Sequence, residues 1–318
     1  MTGAAGFIGS HLADALVAAG HQVVGVDCFT PYYDPAAKRA NLAGLRGHPG
    51  FELHELDLRT AAIEPLLDDV DTVFHQAGQP GVRLSWDREF HTYVEHNVLA
   101  TQRLLEAMRR VPVHRLVYAS SSSVYGDAER YPTVETDLPR PHSPYGVTKL
   151  AAEHLCFAYA ANWGQSVVAL RYFTVYGPRQ RPDMGIRRFI DAALDGSSVT
   201  VHGDGEQVRD FTYVDDVVRA NLAAATVGQT PPGPVNVAGG GSISVNELLG
   251  VIEDLTGRRI RRRHDAAQPG DVRRTGGSTD AARRWLDWKP EVGIRDGLAR
   301  QIEWCRSTRT EPGPEPGM

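Results

Sequence analysis

Residues 2–10 read TGAAGFIGS. Its glycines, Gly3, Gly6 and Gly9, are three positions apart and introduce an apolar-periodic segment, residues 11–19, that predicts a helix. Glycines in this arrangement permit a tight turn and let a pyrophosphate approach the backbone at the helix N-terminus. Because glycines also mark ordinary turns, the triplet is weak evidence alone, and its meaning depends on the segments around it.

The segment after this helix supports a dinucleotide site. Residues 22–26 (QVVGV) have the pattern of a buried strand, which Asp27 ends. An acidic side chain at this place binds both ribose hydroxyls of an adenosine and repels a 2′-phosphate, so NAD is favoured over NADP. A turn or helix-capping role for Asp27 is the alternative.

The strand that should precede the glycine turn is missing, because only Met1 stands before Thr2. In a doubly wound sheet that strand is central, and its loss would leave a gap in the core. Either the natural chain starts upstream or the numbering begins late. We expect an upstream strand to be required for a stable fold.

Further along, strand-like and helix-like segments alternate, which predicts an α/β fold with a parallel sheet covered on both faces. We predict one domain at residues 1–170, to which part of 210–238 returns, a second at 171–306, and a disordered tail at 307–318 that is rich in Pro, Glu and Gly. Strands are predicted at 51–56, 72–75, 113–119 and 166–170, helices at 86–110, 145–162, 186–194 and 246–256, and a hairpin at 201–216.

The composition is that of an ordinary globular protein, with 42% apolar residues, 23% charged residues and a net charge of −5. This charge gives no general attraction to nucleic acid, and the run RRIRRR at 258–263 is interpreted as a solvent-facing edge strand. The three cysteines are far apart, which argues against a disulfide framework or a metal site and for a reducing compartment. No membrane span or signal peptide is evident, so we expect a cytoplasmic location.

Catalytic chemistry is indicated at residues 120–149. A serine cluster, SSSSVYG, follows a predicted strand, and Tyr145 precedes Lys149 by four positions. On a helix these two side chains share one face, so the ammonium would favour the ionised phenol. Tyr145 can then remove the proton of an alcohol, which a serine hydroxyl could share. A helix that carries the pair by chance is the alternative, but the chain has only three lysines and one of them is here.

Four motifs, TGAAGFIGSHL, SSSSVYG, YGVTK and RYFTVYGP, occur in this order and together resemble the extended short-chain dehydrogenase/reductase family of nucleotide-sugar epimerases and dehydratases. The resemblance covers residues 2–300. It implies a Rossmann-type doubly wound parallel sheet of seven strands that binds NAD, a smaller C-terminal α/β domain for a nucleotide sugar, and a cleft between them. It also implies a homodimer through a four-helix bundle, to which the helices near 87–110 and 145–162 would contribute.

The resemblance assigns Tyr145 as the base, Lys149 as its activator and a ligand of the nicotinamide ribose, and Ser121 as the partner hydroxyl. Ser122 and Ser123 stand where 4,6-dehydratases carry an Asp-Glu pair; serines cannot supply the acid and base for loss of water, so a dehydratase is disfavoured. UDP-glucuronate decarboxylases, which commonly keep an acidic residue here, are disfavoured less strongly. The implied cofactor-binding residues are Gly3, Gly6, Phe7, Ile8, Gly9, Asp27, Asp57, Leu58, Gln76, Ala77, Gly78, Asn97, Ser120, Tyr145, Lys149 and Tyr172.

Details of the second half resemble the UDP-glucuronate 4-epimerases of that family. Thr174 stands where glucose-type epimerases typically have Asn, and the segments GPRQRPDM and AGQPGVR are similar to those of the uronate enzymes. Arg181 would then hold the sugar carboxylate in a bidentate pair; an arginine that braces its own loop is the alternative. One departure is HQAG at 75–78, where relatives usually read HLAA. The implied substrate-binding residues are Arg83, Ser121, Ser122, Ser123, Tyr145, Thr174, Arg181, Arg188, Gln207, Arg209 and Arg274.

The residues and the resemblance together predict an enzyme that inverts C4 of UDP-glucuronate to give UDP-galacturonate. The reaction would pass through a transient 4-keto sugar with NAD bound throughout. The alternatives are a UDP-glucose 4-epimerase, a UDP-glucuronate decarboxylase and, from another class, a non-catalytic protein that binds NAD or a nucleotide sugar on the same fold.

Overall fold

A parallel sheet lies at the centre of the protein, whose residues 1–310 are described by a computed structural model. The strands are β1 (Val23–Asp27), β2 (Phe51–Glu55), β3 (Thr72–His75), β4 (Arg115–Ser121), β5 (Val167–Tyr172), β6 (Thr174–Tyr176), β7 (Ser198–His202), β8 (Val208–Tyr213), β9 (Val235–Val237), β10 (Ser242–Ser244) and β11 (Arg261–Asp265). The α-helices are α1 (Phe7–Ala18), α2 (Pro35–Asn41), α3 (Phe90–Tyr93), α4 (Ala100–Arg110), α5 (Pro144–Trp163), α6 (Gly185–Asp195), α7 (Val214–Thr226), α8 (Val245–Thr256), α9 (Asp280–Leu286) and α10 (Ile294–Thr310).

The first residues of the chain occupy the middle of that sheet. β2 and β1 are parallel neighbours on one side, and β3, β4, β5 and β9 follow in that order on the other. Thr2 bridges the two groups by pairing with Val26 of β1 and His75 of β3. Its N–H donates to the carbonyl of Phe74 at 3.0 Å, and its carbonyl accepts from the N–H of Gln76 at 3.2 Å. Six of the seven strands that the resemblance implies are present, and at the central place only Thr2 pairs, where the sequence already indicates that a strand is missing.

Both faces of the sheet are covered because its strands direct alternate side chains into two apolar clusters. In β4, Leu116 and Tyr118 pack with residues of α4 and α5, whereas Val117 and Ala119 pack with residues of α1 and α7. All four side chains are buried. The doubly wound α/β fold predicted from the sequence is confirmed.

Much of the second half forms two small sheets. β8 lies between β6, which is parallel to it, and β10, which is antiparallel, while β7 pairs with β11. The predicted hairpin at 201–216 is wrong, because β7 and β8 belong to different sheets. Gly203 and Gly205, both with positive φ, turn the chain from one sheet to the other. β11 is an exposed edge strand rich in arginine, as predicted.

The last described helix, α10, ends at Thr310, so residues 307–310 are helical and do not belong to a disordered tail. The buried face of this helix, which includes Cys305, packs into the core. Arg309 forms ion pairs with two aspartates of α6. These contacts hold the final turn against the protein, which composition alone did not indicate. The rest of the predicted tail, 311–318, lies outside the described residues.

Two kinds of feature are absent from residues 1–310. None of the helices in this range has the length and apolar character needed to cross a membrane. No three His, Cys, Asp or Glu side chains of the same range cluster as a metal site would require.

Candidate active site

A cleft of about 1240 Å³ opens at the carboxyl ends of the central strands. Ligands of open α/β sheets bind at this edge. Every cofactor-binding residue named above lines this cleft. Further lining residues were not predicted from the sequence; the polar and aromatic ones are Cys28, Thr30, Tyr32, Tyr33, Lys38, Gln79 and His96, and the apolar ones are Val26, Leu56, Pro80, Ala100 and Ala119.

The glycine turn shapes one wall of the cleft. Gly3 has φ +68°, and a Cβ on it would lie 2.7 Å from the backbone N of Ala77. A Cβ on Gly9 would lie 2.0 Å from the carbonyl O of Gly3. Only glycine fits these two positions, so the chain turns tightly and α1 starts at the cleft. The N–H groups of a first helical turn lack partners within the helix, which makes this end suited to a pyrophosphate.

Asp27 is held rigidly at the end of β1. Its carboxylate accepts from the N–H of Ala5 at 3.1 Å and from the N–H of Phe29 at 2.8 Å, and the ammonium of Lys38 lies 3.7 Å away. Asp27 thus caps a turn, as the alternative interpretation held, and also lines the cleft where ribose hydroxyls would bind. Lys38 could have been suspected from the sequence, since it is one of only three lysines.

Asp57 is paired within the protein. Its Oδ2 accepts from Nη2 of Arg59 at 2.7 Å, and its Oδ1 accepts from the backbone N–H of the same residue at 2.8 Å. The hydrogen bonds from the Arg59 side chain are the main reason that the pKa of Asp57 is lowered. Asp57 therefore faces the cleft as a charged and oriented carboxylate beside Leu58.

Asn97 braces the cleft with its side chain. Its Oδ1 accepts from the N–H of Gln79 at 2.7 Å, and its Nδ2 donates to the carbonyl of Gln79 at 3.1 Å and to Oγ1 of Thr148 at 3.0 Å. It thereby ties the loop after β3 to α5. Asn97 lies in a π-helical turn, Val94–Leu99, which interrupts the single helix predicted at 86–110. Such turns recur at functional sites.

Gln76 explains the HQAG departure. Its Nε2 donates to the hydroxyl of Tyr172 at 3.1 Å and to Oδ1 of Asn221 at 2.9 Å. The Tyr172 hydroxyl also donates to Oδ1 of Asn221 at 2.9 Å. The amide of Gln76 thus links β3, β5 and α7 at the wall of the cleft, which the leucine usual in relatives could not do.

Tyr145 stands in the first turn of α5, where the sequence fixes the start of the helix. Pro144 occupies the first helical position, and the hydroxyl of Ser143 accepts from the N–H of Gly146 at 3.1 Å as a cap. From this turn the phenol approaches Ser121 at the end of β4, whose side chain acts to lower the pKa of the phenol. The predicted Ser–Tyr pair is therefore assembled by the junction of one strand and one helix.

The pKa of Tyr145 depends on burial and on two neighbouring side chains. Burial raises the pKa of the phenol, while the side chain of Ser121 and the charge of Arg181 act in the opposite direction. The charged group that acts to lower the pKa of the phenol is Arg181, and activation of Tyr145 by Lys149 stays a prediction. Lys149 lines the same cleft, and its ammonium lies 4.6 Å from the ring centroid of Tyr118. Burial lowers the pKa of Lys149 to about 8.

A buried ion pair lies behind these residues. Glu153, two helical turns after Tyr145, accepts from Arg171 of β5 in a bidentate pair with distances of 2.6 and 3.0 Å, and both side chains are almost fully buried. The hydroxyl of Ser120 donates to the same carboxylate at 2.5 Å. This pair fixes the end of β4 against α5 and so orients the serine cluster relative to Tyr145.

A second cleft, of about 560 Å³, lies beside the serine cluster. Four of the predicted substrate-binding residues line it: Ser122, Ser123, Thr174 and Arg209. Its other walls come from the loops around residues 142 and 271. The structure therefore brings hydroxyl groups and one arginine together in a space next to the Ser121–Tyr145 pair.

The remaining predicted substrate-binding residues do not line the second cleft. Arg83 reaches the rim of the second cleft, where its Nη2 lies 2.9 Å from a carboxylate oxygen of Asp271. Gln207 donates to the carbonyl of His202 at 2.9 Å, and the guanidinium of Arg274 lies over the ring of Tyr131. Arg188 is exposed on α6. The residues Gln207, Arg274 and Arg188 line neither cleft.

Arg181 lines the large cleft but is already paired. Its Nε and Nη2 each lie 3.0 Å from an oxygen of Asp183, two residues further on. The hydroxyl of Tyr32 donates to the same carboxylate at 3.3 Å, and the guanidinium lies 5.8 Å from the ring centroid of Tyr32. Both interpretations of Arg181 thus have support, since it braces its loop and also faces the cleft near Tyr145.

Comparison with known proteins shows similarity along nearly the whole chain. Residues 1–238 match the NAD dependent epimerase/dehydratase family. A Bacillus subtilis protein described as the uncharacterized UDP-glucose epimerase YtcB is 41% identical over 315 residues, which cover 96% of this chain and 97% of that protein. The structure of UDP-glucuronic acid 4-epimerase from Bacillus cereus, in complex with UDP-glucuronic acid and NAD, has a TM-score of 0.94 at 38% identity and covers 96% of this chain and 98% of its own. MoeE5, in complex with the same two ligands, has a TM-score of 0.87 at 47% identity with the same coverage.

The family match spans well over half of the chain, and the similar proteins align along nearly all of it. The glycine turn, the acidic end of β1 and the Ser121–Tyr145 pair all lie at one edge of the sheet, as this match requires. The chain therefore belongs to the NAD dependent epimerase/dehydratase family.

Proposed function

We propose that this protein is an epimerase that inverts C4 of UDP-glucuronate to give UDP-galacturonate with NAD bound. One observation carries the proposal: Tyr145 lines the large cleft beside Ser121, whose neighbours Ser122 and Ser123 line the second cleft. An alcohol held among these serines would present its hydroxyl to Tyr145 beside the cofactor. That geometry suits the removal of a proton from oxygen together with the removal of a hydride from carbon.

The cleft fits NAD in the chemistry of its lining. The turn at Gly3, Gly6 and Gly9 leaves room for a pyrophosphate, and the fixed carboxylate of Asp27 suits two ribose hydroxyls while repelling a 2′-phosphate. Lys149 would bind the ribose next to the nicotinamide. NAD, when bound, accepts the hydride from C4 of the sugar and returns it.

The residues of the chain handle the proton. Tyr145 takes it from the C4 hydroxyl, and the neighbouring hydroxyl of Ser121 can share it. The charge of Arg181 favours the phenolate that accepts the proton. When the sugar has exposed its other face, Tyr145 gives the proton back to the C4 oxygen. The cycle is redox-neutral, so NAD need not leave between turnovers.

Recognition of the sugar would use two kinds of group. The hydroxyls of Ser122, Ser123 and Thr174 line the second cleft and can donate to sugar or carboxylate oxygens. Arg181 would grip the carboxylate through its guanidinium fork, for which Asp183 must first withdraw. The diphosphate and uridine contacts that we predict are Arg83, Arg188, Gln207, Arg209 and Arg274.

A second candidate substrate is UDP-glucose. It is favoured by the description of YtcB as a UDP-glucose epimerase and by the solved complex of MoeE5 with UDP-glucose and NAD. The hydroxyl-lined second cleft accepts either a hydroxymethyl group or a carboxylate, so Arg181 is the feature that favours the uronate. Loss of the carboxylate is disfavoured because Ser122 and Ser123 provide no acidic group. A non-catalytic binding role is disfavoured by the intact Ser121–Tyr145 pair.

We also propose a homodimer in the cytoplasm. Exposed large apolar side chains concentrate on the segment before α4 and on α5, the helices expected to form a four-helix bundle; they include Leu84, Trp86, Phe90, Val94, Leu99, Val147 and Trp163. Such a concentration is typical of an interaction surface. The division into a cofactor domain, residues 1–170 with part of 210–238, and a substrate domain, residues 171–306, remains our prediction.

The test is a panel of nucleotide sugars. The purified protein, without added cofactor, is incubated with UDP-glucuronate, UDP-glucose, UDP-N-acetylglucosamine and their TDP counterparts, and the products are identified by chromatography with mass and NMR detection. We expect UDP-galacturonate as the main product and NAD in the supernatant of the denatured protein. A preference for UDP-glucose, or NADP as the released dinucleotide, would overturn the assignment.

A further inference from the structure

The ammonium group of Lys149 has an aromatic ring as its partner. Across residues 1–310 no side chain or carbonyl forms a hydrogen bond or ion pair with its Nζ, although Lys149 is only 6% exposed. Instead, Nζ lies 4.6 Å from the centroid of the Tyr118 ring. A cation this close to the face of an aromatic ring is attracted by the negative charge density of that face.

Tyr118 has an unusual position of its own. It lies in the middle of β4, is 1% exposed, and its hydroxyl finds no hydrogen-bond partner among residues 1–310. A buried hydroxyl without a partner is destabilising, and phenylalanine would avoid that loss. The hydroxyl therefore does not account for a tyrosine at this position, and the contact that remains to account for it is that of the ring with Lys149.

We propose that Tyr118 is a positioning residue, whose ring face holds the ammonium of Lys149 at the wall of the cofactor cleft and keeps it charged. This proposal deepens the proposed function and rests on the role given there to Lys149. The side chain of a lysine is long and mobile, and a flat ring restricts it to one side of the cleft without competing for the hydrogen bonds that Nζ must offer to a ligand.

The titratable groups that face Lys149 from β3 and α5 do not bind its ammonium. On β3, His75 is fully buried between Thr2 and Thr101, and burial lowers its pKa to about 3, so it contributes no charge. On α5, burial raises the pKa of Cys156, and Cys156 in turn acts to raise the pKa of Lys149.

Glu153, also on α5, raises the pKa of Lys149 from one helical turn away, but its two carboxylate oxygens are occupied by Arg171 and Ser120. Tyr145 shares the cleft wall and lies beside Ser121. The ring of Tyr118 is thus the group in direct contact with the ammonium.

The first test leaves Tyr118 unchanged. The chain has only three lysines, so protein labelled with ¹³C at the lysine ε-carbon gives three signals, which Lys38→Arg and Lys289→Arg variants assign. Protons above the face of an aromatic ring are shifted upfield. We expect the ε-protons of Lys149 to be shifted upfield relative to the other two lysines, and its ε-carbon to titrate near pH 8.

Variants then separate the ring from its hydroxyl. Tyr118→Leu should abolish the upfield shift and lower the titration midpoint of Lys149 by up to ~1.5 pH units, about thirty-fold in its ionisation constant, which is the strength of a desolvated cation–π pair. The basic limb of the pH–rate profile should move by the same amount. Tyr118→Phe keeps the ring, so both readouts should stay as in the wild type, and thermal stability should be unchanged or higher.

Tyr159→Leu is the matched control. Tyr159 is a buried tyrosine of α5 whose hydroxyl bonds Glu106, away from the cleft. Its replacement should lower stability without moving the signals of Lys149. An unshifted Lys149 signal in the wild type, or an unchanged midpoint in Tyr118→Leu, would overturn the proposal. If Tyr118→Leu does not fold, the wild-type spectrum still decides. Because these spectra do not depend on turnover, a failure of the proposed epimerase activity is distinguishable from a failure of this inference.

Discussion

Replacing Asp183 by Asn should strengthen the preference of the enzyme for a uronate, because Asp183 competes with the sugar carboxylate for Arg181. Two nitrogens of Arg181 contact the two oxygens of Asp183 at 3.0 Å each, so the guanidinium fork is satisfied before any ligand binds. A bound uronate can use the same fork only after Asp183 has withdrawn. Its net binding free energy is then smaller by the strength of the pair that was broken.

The exposure of the two side chains determines how strongly Asp183 competes for Arg181. The side chain of Asp183 is 38% exposed, whereas that of Arg181 is 17% exposed. The pair is therefore close to a surface ion pair, which contributes roughly 0–1 kcal/mol. Removing ~1 kcal/mol of competition lowers the KM about fivefold. Arg181→Ala instead removes the charge-assisted pair with the substrate, ~1.5–3 kcal/mol, or roughly 10- to 150-fold in kcat/KM.

The assay is the determination of kcat and KM with UDP-glucuronate and UDP-glucose for the wild type, Asp183→Asn and Arg181→Ala. Arg179→Ala is a matched control, because Arg179 belongs to the same loop but pairs with Asp14 and lines neither cleft. We expect Asp183→Asn to lower the KM for UDP-glucuronate alone.

Arg181→Ala should narrow the uronate preference and raise the share of UDP-4-keto-pentose among the products. A fixed bidentate arginine keeps the carboxylate of the β-keto acid from aligning for loss of CO₂. If Asp183→Asn loses as much uronate turnover as Arg181→Ala, then Asp183 orients Arg181 instead of competing for it, and the reasoning fails.

Three further predictions concern the centre of the site. Tyr145→Phe should lower kcat by roughly 10²–10⁴-fold with substrate affinity largely intact, because only the proton acceptor is lost; near-normal turnover would mean that another group is the base. Glu153→Gln should lower the free energy of unfolding in denaturant by about 3–5 kcal/mol, since it leaves Arg171 charged, buried and unpaired; a loss below ~1 kcal/mol would contradict the role of the pair. Turnover should decline above a pH of about 8, because the lowered pKa of Lys149 means that its charged form persists only below that value; a rate that is constant far above it would show that this charge is not needed.

Features set by short spacings were predictable from the sequence. The glycine turn, the acidic end of β1 and the pair of Tyr145 with Ser121 depend on one strand end or one helix start, and all of them lie where the motifs indicated. Local chemistry explains this success. Only glycine fits at Gly3, and a cap at Ser143 fixes the first turn of α5.

The remaining features depend on contacts between distant segments. The ring of Tyr118 contacts Lys149 because of the way β4 packs against α5. A tyrosine inside an apolar run gives no indication of that packing in the sequence. The hairpin prediction failed because the partners of β7 and β8 come from elsewhere in the chain. The helical residues 307–310 were misjudged because composition does not report the packing of α10.

The proposed epimerisation requires that C4 of a UDP-uronate lose a hydride and regain the same hydride on the opposite face. The most direct measurement uses UDP-glucuronate labelled with deuterium at C4, incubated with the purified protein in ordinary water without added cofactor. We predict UDP-galacturonate that retains the deuterium at C4, in many turnovers per protein molecule. Loss of the label to water, a product without the carboxylate, or no epimer at all would contradict the proposed epimerisation.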